Sequence, residues 1–155
     1  MDNKQLIEDF YTAFAKADAE GMVACYHDQI QFEDPAFGVL KGEDAKNMWR
    51  MLIGRSKGLT KIVFSDVVTN EKTGSAKWVA EYTFADTGRK VINRITAQFE
   101  FADGKIVKHS DHFNMWRWSS QALGLPGYLL GWSPFMKKKI QQRTGGLLKA
   151  FTKGK

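Results

Sequence analysis

The sequence predicts an α+β roll, with helices packed on one face of a curved antiparallel sheet. Three observations lead there. Helical spacing of apolar residues dominates residues 3–53, strand-like alternation dominates residues 62–116, and the links between the later strands are short turns. Short links between long strands imply antiparallel hairpins.

Each element follows in order. Leu6, Phe10, Phe14 and Ala17 recur at helical spacing over residues 3–17, with Ile7 and Ala13 broadening the stripe. Asp18 suits the N-cap of a second helix, Ala19 to Tyr26. Ile30 to Glu33 alternates until Asp34-Pro35 stops the strand. Ala45, Met48, Trp49 and Leu52 mark a third helix over residues 43–53, ended by Gly54 and Gly58. Ile62 to Thr69 is rich in β-branched residues, and Ala76 to Phe84 alternates with Trp78, Ala80, Tyr82 and Phe84 on one side. In Val91 to Phe101, one face carries Val91, Ile95, Ala97, Phe99 and Phe101; the other carries Arg94, Thr96, Gln98 and Glu100. Asp103-Gly104 turns the chain into a last strand, Ile106 to Trp116. The domain therefore reads as residues 1–118, with residues 119–155 as an extension: an irregular apolar stretch, then a basic helix from Pro134 capped by Ser133. Leu123, Leu125, Leu129, Leu130, Trp132 and Phe135 of that stretch are expected to cover a sheet edge, the pocket mouth or a dimer groove.

Composition narrows the class. The 155 residues fit one domain, and 43% hydrophobic with 26% charged residues argues against disorder. A single cysteine, Cys25, excludes an internal disulfide and suits a reducing, cytoplasmic setting; core packing is its expected role. The first ten residues do not read as a signal peptide, and no apolar run is long enough to span a membrane. The net charge of +6 is uneven: residues 121–155 hold seven basic residues and no acidic one. Such a tail attracts polyanions, but lacks the interleaved aromatics of a nucleic-acid reader, so no specific nucleic acid is expected. No nucleophile elbow, phosphate-binding loop or dinucleotide fingerprint occurs.

Chemistry is suggested by polar residues where the pattern wants apolar ones. Asp34 continues the face of Ile30 and Phe32. In the last strand, Val107, His109, Asp111, Phe113 and Met115 share one face, apolar at its ends and polar at its centre. Asp34, His109 and Asp111 are thus expected to converge on one interior, where burial raises a carboxyl pKa and makes it a usable base. A buried Asp–His pair that fixes strand register, with Asp34 capping the Asp-Pro turn, is the structural alternative. A metal site lacks further ligands, and no metal or cofactor is expected.

The stretch Phe10 to Gly21, the sequence Phe32-Glu33-Asp34-Pro35, and Phe99 to Ile106 followed by His109, Asp111 and Phe113 together resemble the nuclear transport factor 2-like superfamily. The resemblance is to its ketosteroid isomerase and SnoaL-like polyketide cyclase branch, and covers roughly residues 5–116. It implies a cone-shaped α+β barrel, a curved sheet around the first helices with a pocket open at one end, and a homodimer through the outer sheet face. It also implies that Asp34 is the carboxylate that moves a proton next to a carbonyl. The isomerases' oxyanion-hole tyrosine falls on Phe10, with Tyr11 one position off, and their second acid falls near Ala97. Asp111 matches an aspartate of the epoxide hydrolase branch.

The resulting expectation is a small cofactorless enzyme of isomerase, cyclase or hydratase/hydrolase type, acting on a small apolar carbonyl or epoxide compound. Asp34 would be the base, His109 the acid or electrophile, and Asp111 the residue that orients His109. Phe10, Tyr11, Met22, Tyr26, Trp49, Phe99 and Phe113 would line the substrate pocket. The alternative is a noncatalytic ligand-binding or assembly module of the same fold.

Overall fold

The caps and alternations resolve into six helices and six strands in the computed structural model, which describes residues 2–154. Helix α1 (Asn3–Ala15) starts at Asp2, whose carboxylate accepts from the Gln5 amide at 2.7 Å. It stops short of the expected end because Ala17 turns left-handed, with φ of 57°. Asp18 caps α2 (Ala19–Val23) through the Gly21 amide at 3.0 Å. This helix is also shorter than expected, since Tyr26 already belongs to strand β1 (Tyr26–Asp34). A brief strand β2 (Gly38–Lys41), which the sequence pattern did not reveal, folds back on β1. Helix α3 (Glu43–Ser56) then begins with Glu43 and Asp44 in its first turn, where carboxylates favour the positive end of the helix.

Strands β3 (Lys61–Thr69), β4 (Thr73–Phe84), β5 (Arg89–Ala102) and β6 (Lys105–His112) form the expected meander. The sheet order is β2-β1-β6-β5-β4-β3. One expectation needs correction: the sheet is not wholly antiparallel. β1 runs parallel to β6, with Phe32 beside His109. That pairing joins strands far apart in sequence and brings β1 to the strand that carries the polar pair. Register shifts in β1, in β3 and between β5 and β6 bend the sheet, as bulges do. The six-stranded curved sheet with its helices is the cone-shaped α+β roll.

The core lies inside the cone. Phe10, Tyr11 and Phe14 from α1 meet Trp49 from α3, Trp78 from β4 and Phe99 from β5. Burying each such ring contributes roughly 1.5–3 kcal/mol.

The last strand ends at His112 rather than Trp116, because Asn114 caps a new helix, accepting from the Arg117 amide at 3.0 Å. Helix α4 (Met115–Leu123) therefore spans residue 118, and the extension begins inside the stretch read as strand. Helices α5 (Leu125–Leu130) and α6 (Pro134–Lys153) follow; Gly145 and Gly146 do not interrupt α6. Trp118, Ala122, Met136 and Ile140 form a second core with Val91, against Ala36, Tyr82, Phe84 and Phe113. The Gln141 side chain donates to the Pro35 carbonyl at 3.0 Å and Thr144 to the Ala36 carbonyl at 2.7 Å. Thus α4 and α6 cover the end of the cone marked by the Asp34 turn. The apolar stretch between them does not. Leu125, Leu129, Leu130, Trp132 and Phe135 stay exposed, so they cover neither a sheet edge nor the pocket mouth within the chain.

Candidate functional site

His109 and Asp111 project inward from β6, two residues apart, as the period of two requires. Both are sealed from solvent, at 0% and 2% exposure. Desolvation on that scale demands partners, and the interior supplies them. The Trp49 indole N–H donates to the Tyr26 hydroxyl at 2.8 Å, and that hydroxyl lies 2.7 Å from His109 Nδ1. On the other side, His109 Nε2 lies 2.8 Å from Asp111 Oδ1, which also accepts from the Trp78 indole at 3.3 Å.

Hydrogen accounting orders this chain. An indole only donates and a carboxylate only accepts, so the Tyr26 hydroxyl accepts from Trp49 and His109 Nε2 donates to Asp111, leaving Nδ1 of the neutral ring to accept the Tyr26 hydrogen. The imidazole hydrogen then sits on Nε2 and points at Asp111. Both ring nitrogens are occupied. Phe10, Phe32, Tyr26, Trp49 and Phe99 surround the ring, with Phe99 centred 4.5 Å away. The expected role of His109 as acid or electrophile meets an obstacle here, since no ring nitrogen is left to face a ligand.

Asp34 is placed differently. It ends β1 and is half-buried. Its Oδ1 accepts from the Ala36 amide at 2.9 Å and the Phe37 amide at 2.6 Å, fixing the turn through Pro35. Among the described residues no hydrogen bond joins it to His109 or Asp111. Burial nevertheless pushes its carboxyl up to about 7; the Phe37 amide opposes this, the Asp111 charge adds to it, and the Ala36 amide opposes it. Capping and an elevated pKa therefore coexist in one residue.

The proposed wall residues separate into two groups. Phe10, Tyr11, Met22, Tyr26, Trp49 and Phe99 are buried in the main core, whereas Phe113 is half-buried and touches both cores. The Tyr11 hydroxyl is buried with no hydrogen-bond partner among the described residues. Burial first, then the Asp111 charge, raises its pKa well above the usual phenol value. Tyr26 is raised chiefly by burial too. Cys25 packs as expected, its thiol pushed up to about 11 by burial, which disfavours a thiolate nucleophile.

Three neighbours of the site were not singled out from sequence. Trp78 was read only as core. Tyr82, whose hydroxyl accepts from the Trp118 indole at 2.7 Å, feels the Asp34 charge. Asn93 is buried on the inner face of β5, and its place between Val91 and Ile95 in the alternation was the available signal. Two open concavities lie elsewhere. One of about 380 Å³ is on the outer sheet face beside Gln98, Glu100, Lys108 and Ser110, and another of about 670 Å³ lies beside Asp18, Glu20 and Arg50. Among the described residues no three acidic, histidine or cysteine side chains gather to hold a metal ion, and no helix is long and apolar enough to cross a membrane.

Comparison with known proteins agrees with this architecture. A proposed polyketide cyclase from Pseudomonas putida KT2440 superposes with a TM-score of 0.63 at 17% identity, covering 79% of this chain and 98% of that one. TerC, co-crystallised with polyporic acid, gives 0.61 at 16% identity, over 71% and 89% of the two chains. An epoxide hydrolase of M. tuberculosis, described as LEH-like, gives 0.59 at 18% identity, over 81% and 92%. At such identities the likeness concerns the fold. No curated protein matches the sequence. The model of the SnoaL-like domain matches residues 7–109, about two thirds of the sequence, ending at the histidine of the buried pair. The chain belongs to the SnoaL-like domain family, within the nuclear transport factor 2-like superfamily.

Proposed function

We propose that this chain is a cofactorless enzyme that uses acid/base catalysis on a small, apolar carbonyl or epoxide compound. The observation that carries the reading is Asp34: a carboxyl pushed to about 7, held by two backbone amides through one oxygen. A base with a pKa near ambient pH combines a populated carboxylate with real proton affinity. Asp34 takes a proton from the carbon next to a carbonyl, and the C–H electron pair moves toward the carbonyl oxygen. Return of the proton to another carbon gives isomerisation; attack by the enolate carbon on a second carbonyl gives cyclisation. With an epoxide, the same carboxylate takes a proton from the attacking water as its oxygen bonds to a ring carbon, that carbon's bond to the ring oxygen breaks, and the proton held by Asp34 then passes to the freed oxygen.

The developing oxyanion needs a donor. Tyr11 is the candidate, since its hydroxyl is buried with no partner among the described residues and its raised pKa keeps the proton in place. His109 and Asp111 position the interior rather than transfer protons to substrate, because their bonds hold Tyr26, Trp49 and Trp78. The co-crystallisation of TerC with polyporic acid supports a small organic ligand for this fold. A homodimer through the outer sheet face belongs to the same reading; a monomer mass by light scattering would remove it.

A noncatalytic binding module is the second reading, favoured by the sealed and fully bonded His109. One experiment separates the two. A panel of enolisable ketones is incubated in heavy water and a panel of epoxides in buffer, and both are followed by NMR. Deuterium uptake or ring opening that falls about 10²–10⁴-fold in Asp34→Asn supports the enzyme. Ligands that raise the melting point equally in both proteins, with no turnover, support the binding module.

A further inference from the structure

We propose that the α5 region is a docking surface for an anionic lipid bilayer, which it enters shallowly. Helix α5 is turned inside out relative to an ordinary surface helix. Its inward side is Gly127 and Gly131, and a Cβ on Gly127 would lie 1.9 Å from the Ser119 carbonyl oxygen. On Gly131 it would lie 2.7 Å from the Ser119 side chain. The backbone of α5 thus presses directly on α4, and its large side chains have nowhere to go but out. Leu125 is 69% exposed, Trp132 72% and Phe135 69%, with Tyr128 and Leu129 more than half exposed between them. A contiguous apolar area of this kind is unusual on a soluble domain and marks an interaction site.

The indole N–H groups of the patch are already satisfied from within. The Trp132 indole donates to the Leu129 carbonyl and the Trp116 indole to the Tyr128 carbonyl, each at 2.8 Å. The rings can therefore enter an apolar phase without stranding an N–H. Immediately beyond Phe135, the exposed Lys137, Lys138 and Lys139 fan around the first turns of α6, whose inward residues are Met136 and Ile140. Lysines spread in this way form no linear stripe for a single strand, whereas their long stems can reach headgroups from both flanks of the helix. No Asp or Glu follows Asp111 in the sequence, so the matching patch of a second copy would meet cations with cations. Anionic headgroups supply the missing charge, and Trp, Tyr and Leu beside lysines are the side chains that an interfacial anchor uses.

The test is co-flotation of the full chain with phosphatidylcholine vesicles, with and without phosphatidylglycerol, at low and high salt. Binding to the anionic vesicles that weakens with salt is the expected result. Changing Lys137, Lys138 and Lys139 together to Gln should lower it roughly a hundredfold, at about fivefold per basic side chain. Trp132→Ser with Phe135→Ser should lower it at least about tenfold, with the melting point unchanged because both rings are exposed. Failure of the wild type to float with anionic vesicles overturns the proposal. So does a dimer, seen by light scattering, that Trp132→Ser with Phe135→Ser dissociates. Oligonucleotide binding that needs the lysines but not the two aromatics, without vesicle binding, overturns it as well.

Discussion

The Trp118 indole nitrogen and the Tyr82 hydroxyl oxygen stand 2.7 Å apart, and this bond ties the C-terminal extension to the cone. Trp118 comes from α4, Tyr82 from the inner side of β4, and the Asp34 charge is felt at Tyr82. The cover over the site is therefore joined to it by a specific polar contact as well as by apolar packing. Trp118→Phe should keep most of the packing and lose the bond, costing about 1 kcal/mol. Trp118→Ala should cost about 3–5 kcal/mol, since a large buried ring is deleted where Val91, Met136 and Ile140 meet. Denaturant unfolding of both variants checks the ratio; equal losses would show that the hydrogen bond, not the ring, dominates.

The His109 network predicts a graded response. His109→Ala leaves the Tyr26 hydroxyl and the Asp111 carboxylate buried without their shared partner, and should cost about 3 kcal/mol or more. Asp111→Asn keeps an oxygen to accept from His109 Nε2 and Trp78, and should cost clearly less. Chemical denaturation of the two variants is the measurement, and equal costs would contradict the hydrogen order derived for the network.

Asp111→Asn should also change Asp34 without touching it. The Asp111 charge is a smaller cause of the raised Asp34 pKa than burial. Neutralising it should bring the Asp34 midpoint down only part of the way to its ordinary value. Carboxyl titration by NMR reads this directly, and an unmoved midpoint would mean that the two groups do not sense each other.

Much of this arrangement was legible before the structure, for reasons of period. The alternation of β5 buries Val91, Ile95, Ala97 and Phe99 and exposes Arg94, Thr96, Gln98 and Glu100, and the same rule turned His109 and Asp111 inward. What period cannot carry is pairing between distant strands. The parallel contact of β1 with β6 sets Phe32 beside His109, and it rests on tertiary packing alone. Nor does it carry hydrogen-bond partners: Tyr26 read as an apolar wall and Trp78 as core, yet each closes one end of the His109–Asp111 chain. Leu125 to Phe135 do not pack onto their own domain, for a definable reason. Apolar content argued for burial, but Gly127 and Gly131 occupy the inward face of α5 and turn the large side chains to the outside.

The pH dependence of any turnover follows from the same carboxyl. If Asp34 is the base, the rate falls as pH drops below the folded pKa of about 7, where the carboxylate is lost. The pH profile of the rate at subsaturating substrate should bend near that value, and an acid limb set near pH 4 would assign the base to another group.

Stability should move the opposite way with pH. In the unfolded chain the Asp34 carboxyl releases its proton near the ordinary carboxyl value of 3.8, whereas in the folded protein it holds the proton up to about 7. Below the lower value both states are protonated and the group has no effect. Between the two, the folded state binds more protons than the unfolded state, so stability declines as pH rises. Above the upper value the penalty is complete. Asparagine carries no charge, and its amide oxygen can keep accepting from the Ala36 and Phe37 amides. Asp34→Asn should therefore leave stability nearly unchanged at pH 4 and raise it at pH 8. The gain should be about 1–3 kcal/mol, the partial exposure of the carboxyl placing it below the full linkage value. Urea unfolding of wild type and variant at the two pH values measures the difference. A variant less stable than wild type at pH 8 would show that the Asp34 charge is favourable in the fold, and would remove the basis for assigning it the role of a poised base.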